Sequence, residues 1–330
     1  MSNTLDLQGR VVLITGGAGG MGRAMATRLL QRGAHCLLVD INAATLKAAA
    51  SELGAGVSTW QADLTQLAAI ETLVSHVTER YGKLDILINN AAIAVTGPFE
   101  ERPVQRIMDE LQINLVSPLA VTRLMLPLLQ RASDPRVVSI ASLGGIFPLP
   151  ETAIYSASKF GLRGAMLCLG LDGPRLGVRF SVINPSATET PMLIREAIED
   201  GNALQFMDPP QMPADVAEQL MRTLDAPKLE RYVRPSESWQ IRLAMLVPNL
   251  LPRLIPLFAN AGIKGRARYL ESLSKRGLIE RRDGAWHLTN TPRAQAMGMP
   301  AEGATATEHL MDRGATLRAS RSAIGSEQRH

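Results

Sequence analysis

Tyr155 and Lys159 stand four residues apart in the stretch Tyr155-Ser156-Ala157-Ser158-Lys159, with Ser142 upstream. In a helix this spacing stacks the two side chains on one face. A free phenol, with a pKa of about 10, is too weak an acid to shuttle protons well at neutral pH. A neighbouring ammonium favours the phenolate, and a nearby hydroxyl can hydrogen-bond the oxygen that reacts. Lowering the phenol by about three units corresponds to roughly 4 kcal/mol. The trio therefore predicts Tyr155 as general acid–base for a hydroxyl proton. The pair alone is equally an exposed aromatic beside a solvated charge, so its setting decides.

The elements that must position it follow from the apolar runs. Val11 to Thr15 is a continuous apolar strand bounded by glycine, as expected of a parallel strand buried on both faces. The loop Gly16 to Gly22 follows, then a helix to about Arg32, and His35 to Val39 is a second strand ending at Asp40. Further strands are predicted at 57–62, 84–89, 136–141 and 178–183, with helices at 43–53, 66–81, 103–130 and 153–176. Such alternation demands an α/β doubly wound parallel sheet of the Rossmann type, whose ligands gather beyond the carboxyl ends of the strands. The glycine loop then lets a pyrophosphate approach the backbone at a helix N-terminus. Asp40 would accept hydrogen bonds from an adenosine ribose and repel a 2′-phosphate, favouring NAD(H) over NADP(H). Its alternative is a simple helix cap.

On these residues the chain resembles the short-chain dehydrogenase/reductase family over roughly Leu5 to Pro235. Thr15, Gly16, Gly20, Met21 and Gly22 are similar to its TGxxxGxG loop. Asp63 and Leu64 match the pair that holds adenine in that family. Asn89-Asn90-Ala91-Ala92 looks like the NNAG motif, departing at Ala92, with Asn90 and Ala91 beside the cofactor. The resemblance implies that Asn114 is structural and positions a water of a proton relay. It implies that Ser142, Tyr155 and Lys159 are catalytic, and that Tyr155 and Lys159 also touch the cofactor. Thr190 would bind the carboxamide, and Ser186 replaces the glycine of the PG motif. The expected activity is NAD-dependent interconversion of a secondary alcohol and a ketone. A homodimer or homotetramer through the helices of Asn114 and Tyr155 is implied likewise. A non-catalytic cofactor-binding regulator, or a bifunctional protein with a partner-recruiting tail, are the alternatives; the intact trio argues against the first.

Composition sets bounds. Hydrophobic content of 46% and charge of 20% are those of a globular protein with a sizeable core. The polar N-terminus lacks a signal-peptide core, and Cys36 and Cys168 lie in apolar stretches, so buried thiols and a cytoplasmic setting are expected. No His or Cys cluster has ligand spacing, and no metal is expected. From Gly262 onward there are twelve Lys/Arg against seven Asp/Glu, while the rest has 23 against 24, so no nucleic acid is expected to bind the body.

Pro191 to Met212 occupies the place of a substrate-covering loop; its Met192, Met207 and Met212 suit either a greasy substrate or ordinary packing. Three segments are expected: 1–235 as the cofactor-binding domain, 236–293 as an extension and 294–330 as a disordered tail. Trp239 to Ala261 is strongly apolar, but Pro248, Pro252 and Pro256 argue against a regular span. Its large side chains must be buried, over the site mouth, on a membrane surface or against a subunit. Leu278 to Leu288 reads as a hairpin turning at Asp283-Gly284.

Overall fold

The computed structural model describes residues 4–95, 97–199, 201–289 and 291. The chain divides into two compact units, Met1–Leu270 and Glu271–His330. Among the described residues of the first, seven strands form one parallel sheet in the order β3-β2-β1-β4-β5-β6-β7. They are β1 (Val11–Thr15), β2 (His35–Asp40), β3 (Val57–Gln61), β4 (Ile86–Asn89), β5 (Arg136–Ile140), β6 (Arg179–Asn184) and β7 (Glu230–Tyr232). The order reverses between β1 and β4, which opens a crevice at the carboxyl ends of the strands. Thr15 pairs with Val39, Ile14 with Ile88 and Asn89 with Ser139. This register brings the ends of these four strands to one rim. β7 has no apolar run to announce it, because it is a half-buried edge strand whose Glu230 pairs with Arg163 at 2.5 Å.

Helices cover both faces. On one, α1 (Gly20–Leu30) packs with α8 (Pro213–Asp225), burying Met25, Leu29, Leu220 and Leu224 against the sheet. α2 (Ala43–Leu53) flanks α1. On the other face, α3 (Leu67–Tyr81), α5 (Ser117–Leu129) and α6 (Ala153–Leu176) contribute Leu73, Met125 and Leu162. Fully burying each such side chain stabilises the fold by about 1.5–3 kcal/mol.

The helix expected over 103–130 is instead α4 (Val104–Leu111), a π-helical turn (Gln112–Val116) and then α5. The reason is local: Pro118 has no N–H to give the carbonyl of Asn114 four residues back. By length and composition Val104–Leu129 could cross a membrane, but Val121, Met125, Leu128 and Leu129 are buried core.

Beyond β6 come α7 (Pro191–Ile198), a 3-10 turn (Ala203–Phe206), α9 (Pro235–Ala244), a second 3-10 turn (Pro248–Leu250) and α10 (Leu251–Lys275). The prolines do not break α10. Pro252 lies in its first turn, where no N–H is needed, and Pro256 forfeits one bond early in the helix. Within this segment Leu251 is buried, while Leu246 and Leu257 are 76% and 73% exposed. Cys36 is buried and its thiol is pushed up to about 12, whereas Cys168 is exposed on α6, contrary to the reading of both as buried.

Within the second unit, β8 (Ile279–Arg282) and β9 (Ala285–Leu288) pair antiparallel. Asp283 and Gly284, at φ of 50° and 83°, make the two-residue turn the sequence predicts. The 294–330 segment lies outside the described residues.

Candidate active site

The rim is assembled from the glycine loop outward. Gly16, at φ 62°, lies so close to β4 that an added Cβ would sit 2.8 Å from the Cα of Ala91. At Gly22 it would meet the Gly16 carbonyl oxygen at 2.5 Å. Side chains at either position would push the loop off the sheet. Gly20 differs: an added Cβ there would reach only Thr190 and Pro191, at 3.8 Å. The gap between the N-termini of α1 and α7 is thus open, as an anionic diphosphate requires. Thr15 Oγ accepts the N–H groups of Asn90 and Ala91 at 3.0 and 3.1 Å, and Asn90 Nδ2 donates to the carbonyls of Thr15 and Gly16. Asn90 therefore ties loop to strand. Ala92 has no positive φ, so its departure from the motif's glycine is unstrained. Met21 lines the cavity described below.

Asp40 ends β2 with one carboxylate oxygen accepting from Ala18 N–H and the other from Asn42 N–H, each at 3.3 Å. Burial raises its pKa against those bonds. The cap of α2 is Asn42, whose side chain accepts from Ala44 and Thr45, so the alternative reading of Asp40 as that cap does not hold. Arg23, whose charge acts on Asp40, donates to the Ala18 carbonyl and pairs with Glu52 at 2.8 Å. Asp63 accepts from Thr65, and the Leu64 carbonyl accepts from Ser117 Oγ at 2.6 Å. This fixes the turn between β3 and α3 at the same rim.

Ser142, Tyr155, Lys159 and Asn114 come together beyond β5. Ser142 Oγ accepts from Gly144 N–H at 3.0 Å, which leaves its own proton to donate, and the hydroxyl hydrogen-bonds Tyr155. Lys159 is fully buried; Nζ donates to the Ile140 carbonyl at 3.2 Å and lies 5.8 Å from the Tyr155 ring centre. Burial lowers its pKa to about 8. The phenol behaves otherwise than its spacing from Lys159 suggests. Burial pushes it up to about 12; the Ser142 bond opposes this, and the carboxylates of Glu196 and Glu110 reinforce it.

Asn114 lies on the π turn with its amide committed. Nδ2 donates to the Ile93 carbonyl at 2.8 Å and to Ser158 Oγ at 3.2 Å, and Oδ1 accepts from Ile93 N–H at 2.8 Å. The side chain thus holds the strand-four loop, and both of its donors are used. Its backbone carbonyl has lost its usual helical donor at Pro118.

Ser142 and Tyr155 open on a cavity of about 470 Å³. Ser142, Tyr155 and Thr190 are among its polar lining, and Met192, Leu193, Leu204 and Met207 form part of its apolar wall. Ile241, Ala244, Leu251, Leu254, Ile255 and Phe258, from beyond β7, complete the wall. The 3-10 turn reaches α10 backbone to backbone: a Cβ at Gly262 would be 2.6 Å from the Ala203 carbonyl oxygen, and Tyr269 stacks on Phe206 with centroids 5.5 Å apart. Thr190 caps α7, its Oγ accepting from Leu193 N–H at 3.4 Å, and Ser186 N–H donates to Gln211 Oε1 at 3.3 Å.

Two carboxylates escape the sequence reading. Glu196 lies in the cavity wall, buried and bonded to Gln205 at 2.9 Å, with its pKa raised by burial. A charge in the same helical stripe as Leu193 and Ala197 was the available signal. Glu110 is fully buried and paired with Arg102 at 2.7 Å; Arg102 also donates to the Val95 carbonyl, pinning that part of the wall.

Comparison with known proteins agrees with this geometry. The short chain dehydrogenase family model matches residues 10–200. Levodione reductase of Leifsonia aquatica is 33% identical over 227 residues, covering 67% of this chain and 82% of that protein. A crystal structure of levodione reductase superposes with a TM-score of 0.63 at 28% identity, covering 70% of this chain and 98% of that one. A 3-ketoacyl-(acyl-carrier-protein) reductase from Brucella melitensis, crystallised with NADH, gives 0.62 at 26% identity, over 69% and 98%. A glycine loop tied to β4, a Ser-Tyr-Lys set at the switch-point rim and a match over most of the sheet make this chain a member of the short-chain dehydrogenase/reductase family of oxidoreductases.

Proposed function

We propose that the protein is an NAD(H)-dependent oxidoreductase interconverting a secondary alcohol and a ketone on an apolar substrate. The observation that carries this reading is the meeting of Tyr155 and Ser142 in the wall of a predominantly apolar cavity that Met21 of the glycine loop also lines. The open gap at Gly20 and the Asp40 carboxylate fit the diphosphate and ribose of a dinucleotide. A bound nicotinamide would supply the hydride donor or acceptor and, when oxidised, a positive charge.

The chain's residues do the rest. Tyr155 passes a proton to or from the substrate oxygen. Ser142, its Oγ oriented by Gly144, donates to that oxygen as charge develops. Lys159, still largely protonated at neutral pH, holds the ribose and carries charge beneath the ring. The Asn114 carbonyl holds a water that extends the relay. Asp40, already supplied with two N–H donors, would repel a 2′-phosphate, which favours NAD(H). We read 1–235 as the catalytic domain, 236–293 as an extension and the setting as cytoplasmic. On α6, Phe160, Gly164, Cys168 and Leu171 form an exposed stripe at helical spacing, which suits pairing of two copies.

The test is a screen of the purified protein with NAD and NADP against alicyclic, aliphatic and aromatic alcohols. Turnover with NAD on apolar secondary alcohols is expected. Asp40→Ala should narrow the preference for NAD by about tenfold, on the order of one lost charged hydrogen bond. A wild type that prefers NADP overturns the role given to Asp40.

A further inference from the structure

The segment from Trp239 to Leu270 has a second face, which the cavity does not use. Ile241, Ala244, Leu251 and Ile255 turn toward the cavity. Trp239, Leu243, Leu246, Leu257 and Ile263 turn away, and each is more than half exposed. Leu254 and Phe258 belong to both, lining the cavity and remaining 38% and 47% exposed, so the apolar face runs into the cavity wall. Large contiguous apolar surface of this kind marks an interaction site.

Charge selects the partner. From Trp239 to Leu270 the chain has five cations and no Asp or Glu. Arg242, Arg253, Lys264 and Arg268 are exposed among the apolar side chains. Apolar and aromatic side chains flanked by cations with long stems are the composition of helices that lie in a lipid interface. We propose that this face docks on an anionic membrane surface, with the apolar side chains among the acyl chains and the cations on the headgroups. A second copy of the chain fits it less well, because a symmetric contact would set these cations against their own equivalents.

Full-length protein would be sedimented with vesicles of phosphatidylcholine alone and of phosphatidylcholine with phosphatidylglycerol. Binding is expected to the second and to be weak with the first. Trp239, one of three tryptophans, should shift its emission to the blue, and Trp239→Phe should remove that shift. Arg253→Ala with Lys264→Ala should lower the partition coefficient about 30-fold, from roughly 1 kcal/mol per cation. Leu246→Asp with Leu257→Asp should lower it at least as far while the thermal midpoint is kept. If that variant fails to fold, the charge variant decides. Absence of binding to the anionic vesicles overturns the proposal, as does binding that neither double variant weakens. So does a dimer by light scattering that the leucine variant dissociates while vesicle binding persists, which would make this face a subunit contact.

Discussion

The floor and the roof of the cavity are built in opposite ways. Beneath the floor formed by Ser142 and Tyr155, Asn114, Ser158 and Lys159 are almost completely buried, and their side chains are hydrogen-bonded to loops and strands far away in sequence. The roof is one continuous stretch, α9 to α10, mostly apolar and half open to solvent, held where Gly262 and Gly265 let α10 approach the 203–206 turn. A floor of that kind fixes angles and proton positions, since unpaired buried polar groups cost about 1–3 kcal/mol each. A roof of this kind fixes shape alone and can change its side chains without disturbing the chemistry. On the proposed function, reaction type and substrate choice are thereby separated in the chain.

Breaking the floor should cost most. Ser142→Ala removes the donor aimed at the substrate oxygen, and kcat should fall by about 100-fold or more, with NADH binding unchanged. A steady-state assay beside a fluorescence titration checks both. The roof should yield less: Gly265→Val pushes a side chain into the Phe206 carbonyl, at about 1–3 kcal/mol of stability. The KM for bulky apolar substrates should rise about tenfold with kcat nearly kept. Equal losses of kcat for small and bulky substrates would show that floor and roof are not separable.

The pH profile sharpens the contrast further. A phenol pushed up to about 12 is protonated at neutral pH, ready as an acid and poor as a base. Ketone reduction should therefore be nearly flat across the neutral range, while alcohol oxidation climbs with pH by up to about tenfold per unit. Glu196→Gln should have the smallest effect. It removes a like charge that raises the phenol, so the oxidation profile should move toward lower pH.

The same contrast governed what could be read from sequence. Buried parallel strands are unbroken apolar runs, so β1, β2, β4, β5 and β6 were legible, as was the Asp283-Gly284 hairpin from its turn chemistry. β7 was not, because an edge strand reading Glu-Arg-Tyr has no apolar signature. The Tyr155–Lys159 spacing announced the pair but not its electrostatics. Glu196 and Glu110 reach the site from α7 and α4, and only the fold brings their charges near the phenol. The π turn at Asn114 was hidden because the apolar pattern runs on through Pro118, so that 103–130 reads as one helix. The roof was visible as an apolar segment that needed burial. That half of it would face outward depends on packing, which periodicity does not report.

The account rests on Tyr155 as the group that exchanges the substrate's proton, and Tyr155→Phe removes that oxygen while keeping the ring. Turnover of the best secondary alcohol with NAD would be measured for both proteins, with NADH binding followed by fluorescence. The expected result is a fall in turnover of at least about 100-fold with cofactor affinity preserved. Near-normal turnover in the phenylalanine variant would contradict the account.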